Sequence, residues 1–94
     1  MIVKICGMRR REDVLYANEV MPDMAGFILT GGFRRSVTVE EVLALRQLLD
    51  GRIQAVGVFV DAPVEEVVRA VAAGAVDRVQ LHGQRHPQIG RAHV

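Results

Sequence analysis

Short apolar stretches alternate along the chain with longer stretches of mixed polarity. The short stretches are rich in β-branched residues and lack the length of helices, so they predict strands. They span residues 1–5, 24–29, 54–60 and 78–81. Because the first three are apolar almost throughout, rather than alternating, they are typical of strands buried on both faces of a parallel sheet.

Three stretches with apolar residues at helical spacing separate these strands. The first covers residues 10–21, with Val14, Ala17 and Met21 on one stripe that Leu15 and Val20 widen. The second starts with Thr38 and Glu41, which have the spacing of a capping box. Its predicted apolar face consists of Val39, Val42, Leu43, Leu48 and Leu49. The third starts after Asp61 and Pro63, and its predicted face consists of Val64, Val67, Val68 and Val71.

The resulting order, β-α-β-α-β-α-β, predicts an α/β fold with a parallel sheet covered by helices. Right-handed crossovers place the carboxyl ends of all strands at one edge. That edge would hold Cys6, the loop 30–36, Asp61 and His82. Either an open doubly wound sheet or a barrel fits this order. A complete (β/α)8 barrel needs roughly 200 residues or more, so the chain would supply about three and a half of its units.

Composition narrows the class of protein. The chain has 94 residues, of which 50% are hydrophobic, which suits one small globular domain. A formal net charge of +1 argues against a nucleic-acid or membrane-surface protein. No apolar run has the length of a transmembrane helix, and no secretory leader opens the chain. A single cysteine cannot form an internal disulfide, so we expect a reducing, cytoplasmic environment.

Cys6 is the first candidate for chemistry, because it stands where a strand ends and α/β folds build their active sites there. Its other interpretation is a small buried hydrophobe. Arg35 could be a solvated loop charge, His82 a satisfied histidine at the sheet edge, and Asp61 is expected to be a helix cap. A metal site formed by Cys6, His82 and His86 is disfavoured, because none of these ligands form a short-spaced pair.

Five motifs occur in order along the chain: Val-Lys-Ile-Cys-Gly in strand one, Ala-Gly-Phe-Ile in strand two, Arg-Arg-Ser-Val before helix two, Val-Gly-Val-Phe-Val in strand three and Val-Gln-Leu-His-Gly in strand four. Together they resemble phosphoribosylanthranilate isomerases. The resemblance runs from Met1 to about Gln88 and would cover a little under half of such an enzyme. The expected domain is therefore 1–88, the N-terminal half of a TIM (β/α)8 barrel.

The resemblance implies an isomerase of tryptophan biosynthesis. Such enzymes carry out an Amadori rearrangement of N-(5-phosphoribosyl)anthranilate, a small phosphosugar-anthranilate substrate, without a cofactor or metal. It implies that Cys6 is the general base, that Arg35 binds the anthranilate carboxylate and that His82 contacts the substrate. The general acid and the phosphate-binding loops would come from later strands, so the 94-residue chain is expected to be inactive.

Two positions depart from the family's usual pattern. Arg9-Arg10 stands where relatives often have Thr-Asn, which removes a natural helix N-cap. Gly31-Gly32 stands where a Pro-Lys pair is common.

The alternative function is a non-enzymatic doubly wound binding module, with Asp61 as a switch carboxylate. Such a module would have an acidic pair after strand one, and Met8-Arg9-Arg10 does not provide it.

The last six residues, 89–94, are expected to be a non-native tail. The resemblance stops there, and Ile-Gly-Arg-Ala-His-Val has no apolar face for the helix that should follow strand four. The same six residues are the translation of ATC-GGA-AGA-GCA-CAC-GTC, a stretch of a widely used sequencing adaptor. We therefore expect the tail to contribute no site.

Overall fold

A computed structural model describes residues 1–83 as a parallel sheet covered by helices. The strands are β1 (Lys4–Ile5), β2 (Met24–Ile28), β3 (Gln54–Val60) and β4 (Arg78–His82). The helices are α1 (Arg11–Val20), α2 (Val39–Arg46) and α3 (Val64–Ala72). The predicted order of strands and helices is confirmed. His86 and the predicted tail 89–94 lie outside the described residues.

The strands lie in the order β1-β2-β3-β4, and every pair is parallel. A doubly wound sheet reverses its strand order at a switch point. Within residues 1–83 the order never reverses, because each strand lies next to the one that follows it in the chain. The doubly wound alternative is therefore wrong for this part of the chain, and the order is that of a (β/α)8 barrel.

One face of the sheet packs against the helices and forms the hydrophobic core. Phe27 of β2 and Phe59 of β3 are fully buried there, together with Val14 of α1 and Val42 of α2. Burying a side chain of this size contributes about 1.5–3 kcal/mol. The core thus fixes α1 and α2 against the sheet.

The other face of the sheet is concave. The Lys4 amino group of β1 contacts the side-chain oxygen of Gln80 of β4, although β2 and β3 lie between these strands. Neighbouring strands are about 4.8 Å apart, so the two side chains could not meet across a flat sheet. They meet because the sheet curves toward this face, as it does in a barrel wall.

The first strand is shorter and more exposed than the sequence predicts. Its ladder covers only Lys4–Ile5, whereas Ile2 is 72% exposed. The physical reason is its place in the sheet, because β1 has β2 on one side and no described strand on the other. The prediction that this strand is buried is wrong.

The predicted apolar faces of α1 and α3 are only partly correct. In α3, Val67 packs against the core and Ala70 is buried, but Val64, Val68 and Val71 are about half exposed. In α1, Val14 and Ala17 are buried, whereas three other predicted apolar positions are exposed: Leu15, Val20 and Met21. The sheet covers one side of each helix, and no described element covers these side chains.

No helix within residues 1–83 combines the length and the apolar character that crossing a bilayer requires.

Candidate active site

The thiol of Cys6 lies at the carboxyl edge of the sheet, directly after β1. It is a free, exposed cysteine, so its interpretation as a buried hydrophobe is wrong. Gly26 of the neighbouring strand leaves room for it, because a Cβ at position 26 would lie 3.3 Å from the Cys6 Sγ. The lack of a side chain on β2 therefore lets the thiol sit against the sheet while it remains open to solvent.

Gly7 turns the chain away from β1 and packs against Arg35. Its φ of +80° is a conformation that L side chains rarely adopt. A Cβ at this position would also lie 2.9 Å from the Arg35 Cδ. The Arg35 Nη1 donates a hydrogen bond of 3.1 Å to the carbonyl oxygen of Gly7. Position 7 thus needs glycine both for its backbone and for the arginine packed on it.

The loop that carries Arg35 is held by two hydroxyl groups. The Ser36 hydroxyl donates to the Thr30 carbonyl at 2.6 Å and accepts from the Phe33 N–H at 3.0 Å. The Thr30 Oγ1 accepts from the Val60 N–H at 2.8 Å, which ties the loop to β3. These bonds close the loop on itself and present Arg35 toward Gly7.

His82 ends β4 at the same edge of the sheet. Its Nε2 lies 2.9 Å from the Gln80 Nε2, and since an amide nitrogen can only donate, the Gln80 amide donates to the His82 Nε2. Residues two apart in a strand share a face, so His82 and Gln80 lie on the concave side. Cys6 follows Lys4 by the same interval, and Lys4 contacts Gln80. Cys6 and His82 therefore border one concave surface.

Asp61 is not the N-cap residue of α3, so the sequence-based expectation is wrong at this position. The N-cap residue is Pro63, whose side chain makes no capping hydrogen bond. Asp61 instead takes a φ of +48°, and its N–H donates to the His82 carbonyl at 3.0 Å. A Cβ at position 83 would overlap the Asp61 carboxylate, so Gly83 is required where β4 ends. Asp61 thus belongs to the junction between β3 and β4.

Four arginines line a cleft of about 160 Å³ beside Gly7: Arg9, Arg10, Arg34 and Arg35. The sequence predicts a poor start for α1, and its N-cap residue, Arg10, indeed makes no side-chain capping bond. Asp13 accepts from the N–H groups of Arg9 and Arg10, both at 3.0 Å. The hydrogen bond from the Arg10 backbone is the main cause that lowers the pKa of Asp13, and the charges of Arg10 and Arg35 act in the same direction.

This arrangement suits proton transfer next to an anionic group. A thiolate can act as a base when nearby cations favour it, and a guanidinium can bind a carboxylate through two parallel hydrogen bonds. Residues 1–83 contain no cluster of three or more His, Cys, Asp or Glu side chains that could hold a metal ion. At this edge of the sheet the described side chains offer a thiol, from Cys6, and a guanidinium, from Arg35.

Sequence reasoning missed three features of this surface: the Lys4–Gln80 contact, the room that Gly26 leaves for the thiol, and the cleft. The motifs Val-Lys-Ile-Cys-Gly and Val-Gln-Leu-His-Gly contain Lys4 and Gln80 two residues before Cys6 and His82. Strand periodicity could have placed them on one face, but not in contact. The cleft joins two arginine clusters that are far apart in the sequence.

Comparison with known proteins gives consistent matches. The family model of N-(5'phosphoribosyl)anthranilate (PRA) isomerase matches residues 3–92. The N-(5'-phosphoribosyl)anthranilate isomerase of Lacticaseibacillus casei is 48% identical over 86 residues, which are 92% of this chain and 43% of the relative. The chain thus spans less than half the length of this relative.

Solved structures of such isomerases share the fold. The enzyme from Thermus thermophilus superposes with a TM-score of 0.82 at 40% identity, covering 89% of this chain and 42% of that one. A second isomerase, in complex with reduced 1-(o-carboxyphenylamino)-1-deoxyribulose 5-phosphate, gives a TM-score of 0.85 at 30% identity over 98% and 48% of the two chains. The fold is thus half of a (β/α)8 barrel, and the chain belongs to the N-(5'-phosphoribosyl)anthranilate isomerase family.

Proposed function

We propose that this chain is the N-terminal part of a phosphoribosylanthranilate isomerase. The complete enzyme would convert N-(5-phosphoribosyl)anthranilate to 1-(2-carboxyphenylamino)-1-deoxyribulose 5-phosphate, a step of tryptophan biosynthesis, in the cytoplasm. Family membership supports this, as does the related structure in complex with a reduced form of that product. The observation that carries the proposal is the exposed Cys6 thiol directly before Gly7, the residue on which Arg35 is held.

Cys6 is the proposed general base. An Amadori rearrangement removes a proton from the sugar carbon next to an iminium carbon, and this step needs a base that titrates near neutral pH. The thiol is open to solvent at the carboxyl end of β1, where barrel enzymes place catalytic groups.

Arg35 is the proposed contact for the anthranilate carboxylate. Within the described residues its guanidinium makes one hydrogen bond, from Nη1 to the Gly7 carbonyl, so further N–H groups remain for a ligand. A planar carboxylate next to an aromatic ring fits the planar fork of a guanidinium. The bond to Gly7 would hold this fork close to Cys6 before substrate binds.

His82 is a proposed substrate contact at the opposite side of the concave surface. Its ring is exposed and pairs with Gln80, which leaves the other ring nitrogen available. The general acid and the phosphate-binding loops would come from later strands of the complete enzyme. Since an enzyme gains much of its rate from holding all groups in place, the 94-residue chain by itself should have no measurable isomerase activity.

The complete gene tests this function. Expressed in a tryptophan auxotroph that lacks the isomerase, it should restore growth without added tryptophan. In the purified complete enzyme, Cys6→Ala should lower kcat by about 10²–10⁴-fold, the usual effect of losing a general base. Arg35→Ala should mainly raise KM, because it removes binding that substrate and transition state share.

Arg52→Ala is the matched control, because Arg52 is exposed and pairs with Asp50 at the amino edge of the sheet. It should leave both kinetic constants unchanged. Near-normal turnover of Cys6→Ala would refute the base assignment, and a well-expressed complete protein that cannot restore growth would refute the function. Isomerase activity in the purified 94-residue chain would refute its proposed inactivity.

A further inference from the structure

The arginine cleft holds more positive charge than its surroundings neutralise. Arg9, Arg10, Arg34 and Arg35 line it, and none of them takes part in an ion pair within residues 1–83. The other described arginines that form ion pairs do so with Asp77, Asp50 and Glu40. Like charges gathered in one small space repel each other, so this cluster is unfavourable unless an anion joins it.

Asp13 is a carboxylate beside this cluster. Its Oδ2 accepts from the backbone N–H groups of Arg9 and Arg10, and the charges of Arg10 and Arg35 also act on it. Four positive side chains and this one negative side chain leave three positive charges in the cleft. The arginine side chains therefore remain available to a ligand with several negative charges.

The cleft is built from two segments that the fold holds together. Arg9 and Arg10 come from the connection between β1 and α1, and Arg34 and Arg35 from the loop after β2. The bond from Arg35 to Gly7 joins the two segments. The Ser36 hydroxyl closes the loop that carries both Arg34 and Arg35. The four side chains are thus brought to one place before any ligand arrives.

We propose that this cleft binds a small phosphate-bearing anion with at least two negative charges. Guanidinium groups pair with phosphate through two parallel hydrogen bonds, and the several oxygens of a phosphate can accept from more than one arginine at once. A monocarboxylate offers two oxygens and one charge, which would leave most of the cluster unneutralised. A cleft of about 160 Å³ admits a diphosphate group. This site goes beyond the proposed isomerase function, which uses only Arg35.

Titration calorimetry on the 94-residue chain tests the site with inorganic pyrophosphate and inorganic phosphate as probes. Pyrophosphate should bind more tightly than phosphate, and both should bind more weakly as potassium chloride is raised. Arg9→Gln and Arg34→Gln should each weaken pyrophosphate binding about tenfold or more, since each removes a charge-assisted pair. Arg52→Gln is the matched control and should bind as the unchanged chain does.

A second measurement covers variants that fold poorly. Arg9→Lys and Arg34→Lys retain the charge but lose the fork, so they should fold as the unchanged chain does and still bind pyrophosphate more weakly. Circular dichroism checks the fold of each variant. The proposal is overturned if the unchanged chain does not bind pyrophosphate at low salt. It is also overturned if the arginine variants bind as tightly as Arg52→Gln. Neither result bears on the isomerase assay, because Arg35 is unchanged in every variant.

Discussion

Charged side chains have partners within the domain at one edge of the sheet, whereas at the other edge a group of arginines forms no ion pairs with described residues. At the amino edge, where the strands begin, aspartates bind backbone N–H groups and arginines within the domain. At the carboxyl edge, where the strands end, four arginines share a cleft and form no ion pair with described residues. In barrel enzymes the amino edge serves stability and the carboxyl edge serves catalysis. The unpaired arginines agree with the binding role that we propose for the carboxyl edge.

At the amino edge, an aspartate that precedes one strand binds a backbone N–H group of the strand before it, and this interaction occurs twice. Asp23 precedes β2, and its Oδ2 accepts from the Val3 N–H at 2.7 Å. Asp77 precedes β4, and its Oδ2 accepts from the Ala55 N–H at 2.9 Å. In each case the carboxylate binds the start of the preceding strand in the sheet. Asp77 also pairs with Arg46, in the last turn of α2. These bonds satisfy strand N–H groups that the ladder leaves unpaired.

The largest expected effect on stability comes from removing the carboxylate of Asp77. Asp77→Ala leaves the Ala55 N–H and Arg46 without their carboxylate, and a part-buried donor that loses its partner costs about 1–3 kcal/mol. Urea denaturation should show this loss in the free energy of unfolding. Glu19→Ala is the control, because Glu19 is exposed near the end of α1 and should change stability by less than about 0.5 kcal/mol. Equal stability of the two variants would contradict the role of the amino edge.

Acid should weaken the amino edge in a defined window. Partial burial tends to raise the pKa of Asp77, but the hydrogen bonds from Arg46 and the Ala55 N–H outweigh it and hold that pKa below 3.8. The hydrogen bonds from Arg52 lower the pKa of Asp50 to about 2. A carboxylate with a lowered pKa in the folded state stabilises the protein above the unfolded-state pKa, and this contribution is lost as pH falls through the folded-state pKa.

Stability should therefore be constant above about pH 5 and decline below about pH 4. Denaturation series at several pH values measure this decline. Asp13, at the carboxyl edge, acts in the same direction, so the informative quantity is the difference between chains. Asp77→Ala should lose less stability on acidification than the unchanged chain. An identical acid dependence in both would show that Asp77 contributes nothing to it.

The smallest expected effect is at the carboxyl edge. Arg34→Gln removes one charge from a repelling cluster and breaks no bond to a described residue. Its free energy of unfolding should stay within about 0.5 kcal/mol of the unchanged chain, with any change toward higher stability. Thermal denaturation at low salt measures this, because salt screens the repulsion. A marked loss of stability would mean that this edge is structural as well.

The parts of the fold that the sequence predicts are those that local interactions decide. The Thr38–Glu41 capping box forms as predicted, with the Glu41 N–H donating to the Thr38 hydroxyl at 3.1 Å and the Thr38 N–H donating to Glu41 at 2.8 Å. β3 covers the predicted residues 54–60. The capping box and β3 both depend on residues close together in the chain, so the amino-acid sequence alone predicts them.

The errors concern what a segment meets after folding. The apolar character of Val68 predicts burial, yet the residue is 56% exposed because no described element lies over that side of α3. Asp61 is a residue type that often caps helices, but here Pro63 is the N-cap of α3 and the Asp61 carboxylate lies against Gly83. The arginine cleft depends on a loop conformation that Thr30 and Ser36 determine, so the two arginine clusters could not be joined from the sequence.

The consecutive strand order also has a kinetic consequence. Within residues 1–83, each strand pairs with the strand that follows it after a single helix, so none of these pairings waits for a distant part of the chain. Folding rates rise as contacting residues come closer in sequence, and chains synthesised from the N-terminus fold as their segments become available. On the ribosome, β1 and β2 can therefore pair before β3 is synthesised. β3 and β4 can then each pair with the strand that was synthesised before them.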